Sequence, residues 1–376
     1  MMKSTVAAAL VFVLVVEAVK ANPFHEQIDV FVAGQDNVHT YRIPGVVVTN
    51  KSTVLIFCEA RKQSSDDGSP TDVVLKRSLD DGRTWQPMQI LVRGVIHYLK
   101  NDVKVEAIMD PCPVVDRSNG TIWLSCTQYL NRKMGRNMLL TSTDDGATWS
   151  EPIDIGSSFG GVLGGGPGMG IQLRYNKDHK GRLVIPGRGN YDEQKVGSYV
   201  IYSDDHGESW HKGQCVPGTG GGECQAIELT DGSLAINIRS GRKGCRVVAI
   251  SKDGGMTWAN AYDEQQLPEY GCQASILRYT DPFQDDRNRI LFSNPNTTER
   301  ERMKMTVRLS YDDGKTWPVS KLVHPGPSSY SCLAVARDRT ILCFYEGGQK
   351  DRREWIRLAR FNLEWLTDGK DTFPLP

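Results

Sequence analysis

The sequence predicts an all-β fold, a six-bladed β-propeller, on three observations. A turn motif of fixed form recurs five times, short runs rich in β-branched and aromatic residues lie between the copies, and long amphipathic helical patterns are nearly absent. The copies span residues 78–85, 142–149, 203–210, 251–258 and 310–317, each reading S-x-D-x-G-x-[ST]-W. Their starts lie 64, 61, 48 and 59 residues apart. Such spacing belongs to one repeat architecture and not to several unrelated domains.

Each copy makes sense as a turn. The aspartate (Asp80, Asp144, Asp205, Asp253, Asp312) accepts backbone N–H groups across the bend, the glycine that follows supplies a positive φ, and the tryptophan packs the hairpin against its neighbour. The motif is structural; an EF-hand reading fails because the ligand positions and terminal glutamate of a calcium loop are missing. Between the turns, residues 121–125, 182–186, 233–238, 289–293 and 340–345 read as strands. About sixty residues per unit suits a four-stranded blade with a long loop. Six such units fit residues 22–376 as a single domain, the last without a recognisable motif.

With 39% hydrophobic and 24% charged residues, the 376-residue chain can bury a sizeable core. Forty-five basic residues balance forty-five acidic ones, and no run of like charge stands out, which argues against a nucleic-acid partner. Residues 1–21 carry Lys3, an apolar run from Val6 to Val16 and the small-residue end Val19-Lys20-Ala21, the form of a secretory signal peptide. Glu17 interrupts the run, leaving too few apolar residues to span a bilayer, so the expectation is a secreted protein with no membrane insertion. The Asn50, Asn119 and Asn296 triplets have the form of glycosylation acceptors and are compatible with export.

Nine cysteines in an exported chain admit bridges, Cys112 with Cys126 and Cys332 with Cys343 being possible across short turns; buried small hydrophobes are the equal alternative. No cysteine or histidine spacing suits a metal, and no cofactor is implied.

Tyr41-Arg42-Ile43-Pro44 precedes the first repeat, and here the sequence resembles the sialidase (neuraminidase) superfamily, whose Asp boxes match the five turns and whose [FY]-R-I-P motif matches this tetrapeptide. The resemblance covers the chain from residue 22 onward and implies a secreted exo-α-sialidase acting on sialylated glycans. Sialic acid bears a carboxylate on its anomeric carbon, and such families hold it with three arginines through charge-assisted bonds. Arg42 matches the first and Arg239, sixteen residues after Glu223, the second; Arg302 fits best as the third, with Arg300 and Arg308 as alternatives.

That anomeric carboxylate also bears on the nucleophile, because an anionic attacking group would be repelled whereas a neutral tyrosine is not. Sialidases are the tyrosine-using exception among retaining glycosidases, so this role is implied by the resemblance. Tyr330 matches the nucleophile and Glu223 its base. Glu228, five residues on, would face away from the site. The family's acid sits on a loop six residues past an arginine, which selects Asp67 after Arg61, with Asp66 one residue short. Arg61 is assigned to substrate binding. Asp110 resembles the aspartate that bonds the sugar's ring substituents, or else caps a turn before Pro111, and Glu346 resembles the carboxylate that orients the first arginine.

The glycine-rich segment 160–170 lacks the G-K-[ST] ending of a phosphate loop and reads as a loop at the pocket rim, its glycines letting backbone approach the sugar. Two retaining steps also admit transfer, so a trans-sialidase, including one that closes the sugar on itself, is the nearest alternative to hydrolysis. A catalytically silent lectin on the same fold is the rival of another class.

Overall fold

The computed structural model describes residues 22–99, 102–156, 163–190, 196–241 and 244–374; residues 1–21, expected from the sequence to be a signal peptide, and residues 160–162 of the glycine-rich segment lie outside them. The chain is all-β, with strands where the sequence places them: Ile122–Leu130, Leu183–Asn190, Leu234–Ile238, Ile290–Pro295 and Ile341–Gly347 each contain or overlap an expected run. Among the described residues, helix is limited to short turns such as Leu363–Leu366. Among the described residues no helix is long and apolar enough to cross a membrane.

Consecutive strands pair antiparallel in sets of four. Thr40–Val48, Val54–Arg61, Thr71–Ser78 and Gln89–Val92 form one set. Asp102–Val115, Ile122–Leu130, Lys133–Ser142 and Ile153–Asp154 form the next. Among the described residues, hydrogen bonding nevertheless joins the strands into four sheets, of seven, nine, five and four strands. Two features fuse neighbouring sets. One parallel pairing, Thr71 with Ala107, links the two sets just named. The 17-residue strand Val319–Val335 pairs first with Met303–Ser310 and then with Ile341–Gly347. His25–Val32 pairs antiparallel with Trp355–Phe361, so the start of the described chain forms the edge of the last sheet.

Side-chain alternation builds the core between successive sets. Leu55 and Phe57 of Val54–Arg61 pack with Ile108, Leu124 and Leu140 of the following set. Their strand neighbours Val54, Ile56 and Cys58 pack with Phe344, Ile356 and Leu358 of the last. Both faces are covered, which is why this strand reads as a continuous apolar run and is buried throughout.

The repeat turns are built as expected, with one addition. In all five, the glycine N–H donates to the serine Oγ at 2.7–2.9 Å. The Thr or Ser N–H donates to the aspartate at 2.8–2.9 Å. The addition is a second left-handed residue before each glycine (Asp81, Asp145, His206, Gly254, Asp313), giving the paired positive φ of a type I′ hairpin turn. The tryptophans pack outward from their own hairpin: Trp149 lies edge-on to Phe57 and Trp210 to Trp123, each in the preceding set.

All nine cysteines are buried and unbridged. Register explains the two candidate pairs. Cys112 faces Ser125 and Cys332 faces Phe344, one residue away from the partner cysteine. A one-residue offset sends side chains to opposite faces, and the two members of each pair accordingly lie in different core clusters.

Innermost strands position the site. Arg42, Asp110, Glu223 and Tyr330 precede the last residues of Thr40–Val48, Asp102–Val115, Cys224–Glu228 and Val319–Val335 by five or six positions. Those last residues, Val48, Val115, Glu228 and Val335, line a separate cavity of about 270 Å³.

Candidate active site

Three of the innermost strands present their site residues through irregularities. Pairing of Thr40–Val48 shifts register between Arg42 and Gly45, and Ile43 takes φ +59°, an outlier for a β-branched residue. Such a residue costs about 1–3 kcal/mol and persists only where its surroundings hold it. Here the Ile43 N–H donates to Glu346 Oε1 at 2.7 Å, and its side chain packs with Tyr330 and Cys272. Asp110 lies in a second register shift with φ +58°, and Tyr330 in a third, between Ser328 and Ser331.

Tyr330 and Glu223 meet across 107 residues of sequence: the phenol donates to Glu223 Oε1 at 2.6 Å. Arg239 Nη1 donates to Glu223 Oε2 at 2.7 Å and to the phenolic oxygen at 3.2 Å. The Arg42 and Arg302 guanidinium carbons lie 5.2 and 5.6 Å from the Tyr330 ring centroid. Burial alone would raise the Glu223 carboxyl, but Arg239, Arg188 and the Tyr330 hydroxyl outweigh it and hold it at about 2. Burial and the Glu223 charge push Tyr330 well above the usual phenol range. The pair is therefore a neutral phenol bonded to a carboxylate, the protonation state in which a base can take the proton as the phenol attacks.

Arg42 is gripped from behind by Glu346, Nε at 3.1 Å and Nη2 at 3.0 Å. Arg302 donates to Ser329 Oγ at 3.1 Å and to the Gly271 carbonyl, and has no carboxylate partner among the described residues. Its charge is thus open to an anionic ligand. The alternatives are placed elsewhere: Arg308 is buried against Asn294 and Asn296, and Arg300 is exposed. Asp67, with its side chain 69% exposed, pairs with Arg61 at 2.6 Å and stands 4.0 Å from Arg42. Asp66 instead closes its own turn onto the Gly68 N–H and pairs with Arg132. Glu228 sits at the far end of its strand, accepting three backbone N–H groups from residues 174–176.

Asp110 is buried, with Tyr129 donating to it at 3.2 Å, and burial together with Glu59 and Glu223 lifts its carboxyl to about 7 against the pull of Arg188. The glycine-rich segment does something other than expected. A Cβ on Gly165 would lie 2.4 Å from the Asp110 Cβ, and one on Gly166 2.5 Å from the Cys224 carbonyl. These glycines let the segment wedge between innermost strands; the close approach is to protein backbone and side chain, and the rim-loop reading is corrected to that extent.

A model of the BNR repeat-like domain family matches residues 53–343. The chain is 35% identical to a sialidase of Micromonospora viridifaciens over 94% of its own length, and 34% identical to one of Bacteroides fragilis over 84%. It spans 56% and 61% of those two relatives. Among solved structures, the Hadza microbial sialidase Hz136 superposes with a TM-score of 0.78 at 30% identity, covering 91% of this chain and 69% of that one. The chain belongs to the sialidase superfamily. An intramolecular trans-sialidase from Ruminococcus gnavus shares the fold, with a TM-score of 0.75 at 20% identity over 90% of this chain and 98% of its own.

Within this family framework the pocket contains charged residues that the sequence did not single out. Arg188, on Leu183–Asn190, reaches within 3.7 Å of Glu223 and lines a cavity of about 290 Å³ with Glu223 and Arg239. Glu269 accepts the Ser240, Gly271 and Cys272 N–H groups and pairs with buried Arg246, tying down the segments beside Arg239 and under Arg302. Glu59, fully buried, accepts both Nε and Nη2 of Arg61 on its Oε2; burial raises its carboxyl against the pull of Arg61. Nothing in the local sequence marked these residues, although Glu59 and Arg61, two apart on one strand, had to share a face.

Proposed function

We propose that the chain is a secreted exo-α-sialidase that hydrolyses terminal α-linked sialic acids of glycoconjugates with retention, residues 22–376 forming one six-bladed propeller. The observation that carries the reading is the Tyr330–Glu223 hydrogen bond of 2.6 Å set among the guanidinium groups of Arg42, Arg239 and Arg302.

Arg42, Arg239 and Arg302 clamp the substrate carboxylate, Glu346 fixing the plane of Arg42 beforehand, and Asp110 contacts the ring substituents; Arg61, assigned to substrate binding from the sequence, has its nitrogens taken by Glu59, Ser65 and Asp67 and acts behind the acid instead. The phenolic oxygen of Tyr330 attacks the anomeric carbon while its proton passes to Glu223. As the glycosidic bond breaks, Asp67 protonates the departing oxygen. In the second step the Asp67 carboxylate takes a proton from water. Its oxygen displaces the tyrosine from the anomeric carbon, and Glu223 returns the proton to the phenolate. Arginines around the phenol stabilise the negative charge it gathers in both steps. The apolar run of residues 1–21 supports export, and the strands pair in sets of four, supporting the blade count.

Proton NMR of sialyllactose with the purified protein tests the proposal. Free sialic acid appearing first as the α-anomer is the expected result. An anhydro-sugar or a sialylated acceptor would replace hydrolysis with transfer, a reading favoured by 35% identity to the Macrobdella decora anhydrosialidase over 54% of this chain. Binding without reaction would leave a lectin.

A further inference from the structure

We infer that Glu59 is a positioning residue for the acid step, holding Arg61 so that Arg61 can hold Asp67. The inference rests on the proposed sialidase reading and deepens it. Five contacts form a chain through the floor of the pocket. The Asp110 N–H donates to Glu59 Oε1 at 3.0 Å, and Arg61 donates to Glu59 Oε2 through Nε at 3.0 Å and Nη2 at 2.7 Å. The remaining Arg61 nitrogen, Nη1, donates to the Ser65 carbonyl at 2.7 Å and pairs with Asp67 at 2.6 Å. One buried carboxylate therefore links the acid's loop to the bulge that presents Asp110.

The physical need is plain at each end. The Asp67 side chain is largely exposed on a turn, and its ion partners are Arg61 and, at 4.0 Å, Arg42. Its placement thus depends on where Arg61 points. Arg61, in turn, is 1% exposed at its side chain and lies beside Arg42, a second buried cation that repels it. Glu59 is the cross-strand partner of Arg42 and the same-face neighbour of Arg61, so its charge offsets the repulsion where it arises. With Glu59 occupying Nε and Nη2, only Nη1 is left to meet the acid. Without Glu59, the guanidinium is free to rotate and to take both carboxylate oxygens of Asp67, drawing the acid back from a leaving group.

The test uses leaving-group dependence, which a merely structural role would not move. Turnover of sialyllactose, a poor leaving group, is compared with that of an activated aryl sialoside for wild type, Glu59→Gln, Asp67→Asn and the double variant. Glu59→Gln is expected to lower kcat on sialyllactose about 10–100-fold, a part of the roughly 100–10,000-fold that general acid catalysis supplies, and on the aryl sialoside less than about threefold, with KM little changed. Asp67→Asn should show the same split, and the double variant no more of it than Asp67→Asn. Equal losses on both substrates, or a Glu59→Gln split that adds in full to that of Asp67→Asn, would overturn the inference while leaving Asp67 as the acid. No split in Asp67→Asn would overturn the acid assignment and the role of Glu59 together. Glu59→Asp keeps the charge with less reach; it should show a smaller split of the same kind, and it replaces the glutamine variant if that chain does not fold.

Discussion

Among the carboxylates held at about 2 in this molecule, Asp144 and Glu223 get there by opposite routes. Asp144, in a repeat turn, is nearly fully exposed; the hydroxyl and N–H of Thr148, four residues on, pull it down, with Ser142 and the Ala147 N–H adding. Glu223, in the pocket, is buried, and burial works against its ionisation; it reaches the same value only because Arg239, Arg188 and Tyr330 surround it. Those partners come from 16, 35 and 107 residues away. A turn can tune a charge with its own neighbours. A pocket that excludes water must import the compensation, and buried cations in and around it have carboxylate support of their own, as Arg42 has Glu346 and Arg246 has Glu269.

The contrast implies that changes in the pocket alter chemistry, whereas changes in the turns alter stability alone. Tyr330→Phe should show the largest effect, a fall in turnover of about a thousandfold with binding of a sialic-acid analogue retained; unchanged turnover would end its role as nucleophile.

Glu223→Gln comes next, leaving the charges of Arg239 and Arg188 without their carboxylate partner and destabilising the fold by about 3 kcal/mol near neutral pH. The sign follows from a depressed acid: its stabilisation is complete above the unfolded value of about 4.3 and is lost as pH falls through about 2. The Tm gap between wild type and Glu223→Gln should therefore narrow from pH 6 to pH 2, and a gap that stays constant would mean the arginines do not set this charge. For Arg302→Lys, loss of the planar fork should cost about 2 kcal/mol, read as a roughly thirtyfold drop in kcat/KM; a drop in Tm with kcat/KM intact would instead class Arg302 with the scaffold.

On the turn side, Gly207→Ala should destabilise by about 2 kcal/mol, since φ is +95° and a Cβ would lie 2.1 Å from the Trp123 ring. Activity per folded molecule should hold. Asp144→Ala, the mildest, should lower Tm by about 1–2 °C through loss of a local cap and leave kcat/KM at the wild-type value. Impaired catalysis in either turn variant would break the comparison.

Legibility followed the same division. The turns could be read completely but for the second left-handed residue, because Asp, His and Gly all tolerate that conformation and no single letter marks it. In the pocket, Arg42, Arg239, Arg302, Tyr330, Glu223 and Glu346 were recognisable by their resemblance to a family motif, and the structure brings them together. Choosing Asp67 over Asp66 and Arg302 over Arg308 depended on counting residues; the structure separates them by partner, since Asp66 and Arg308 are already engaged elsewhere. Arg188, Glu59 and Glu269 were invisible, because a buried counterion is defined by what lies across from it.

The sequence by itself determined the all-β class, the repeat and the turn at each copy, since these depend on contacts within eight residues and on the period-two alternation of strands. Tertiary structure alone decided how strands join into sheets, that the cysteines stay apart, and which charges support the pocket. Those outcomes turn on one-residue register and on the neutralisation of buried charge, and both are set by residues far apart in the chain.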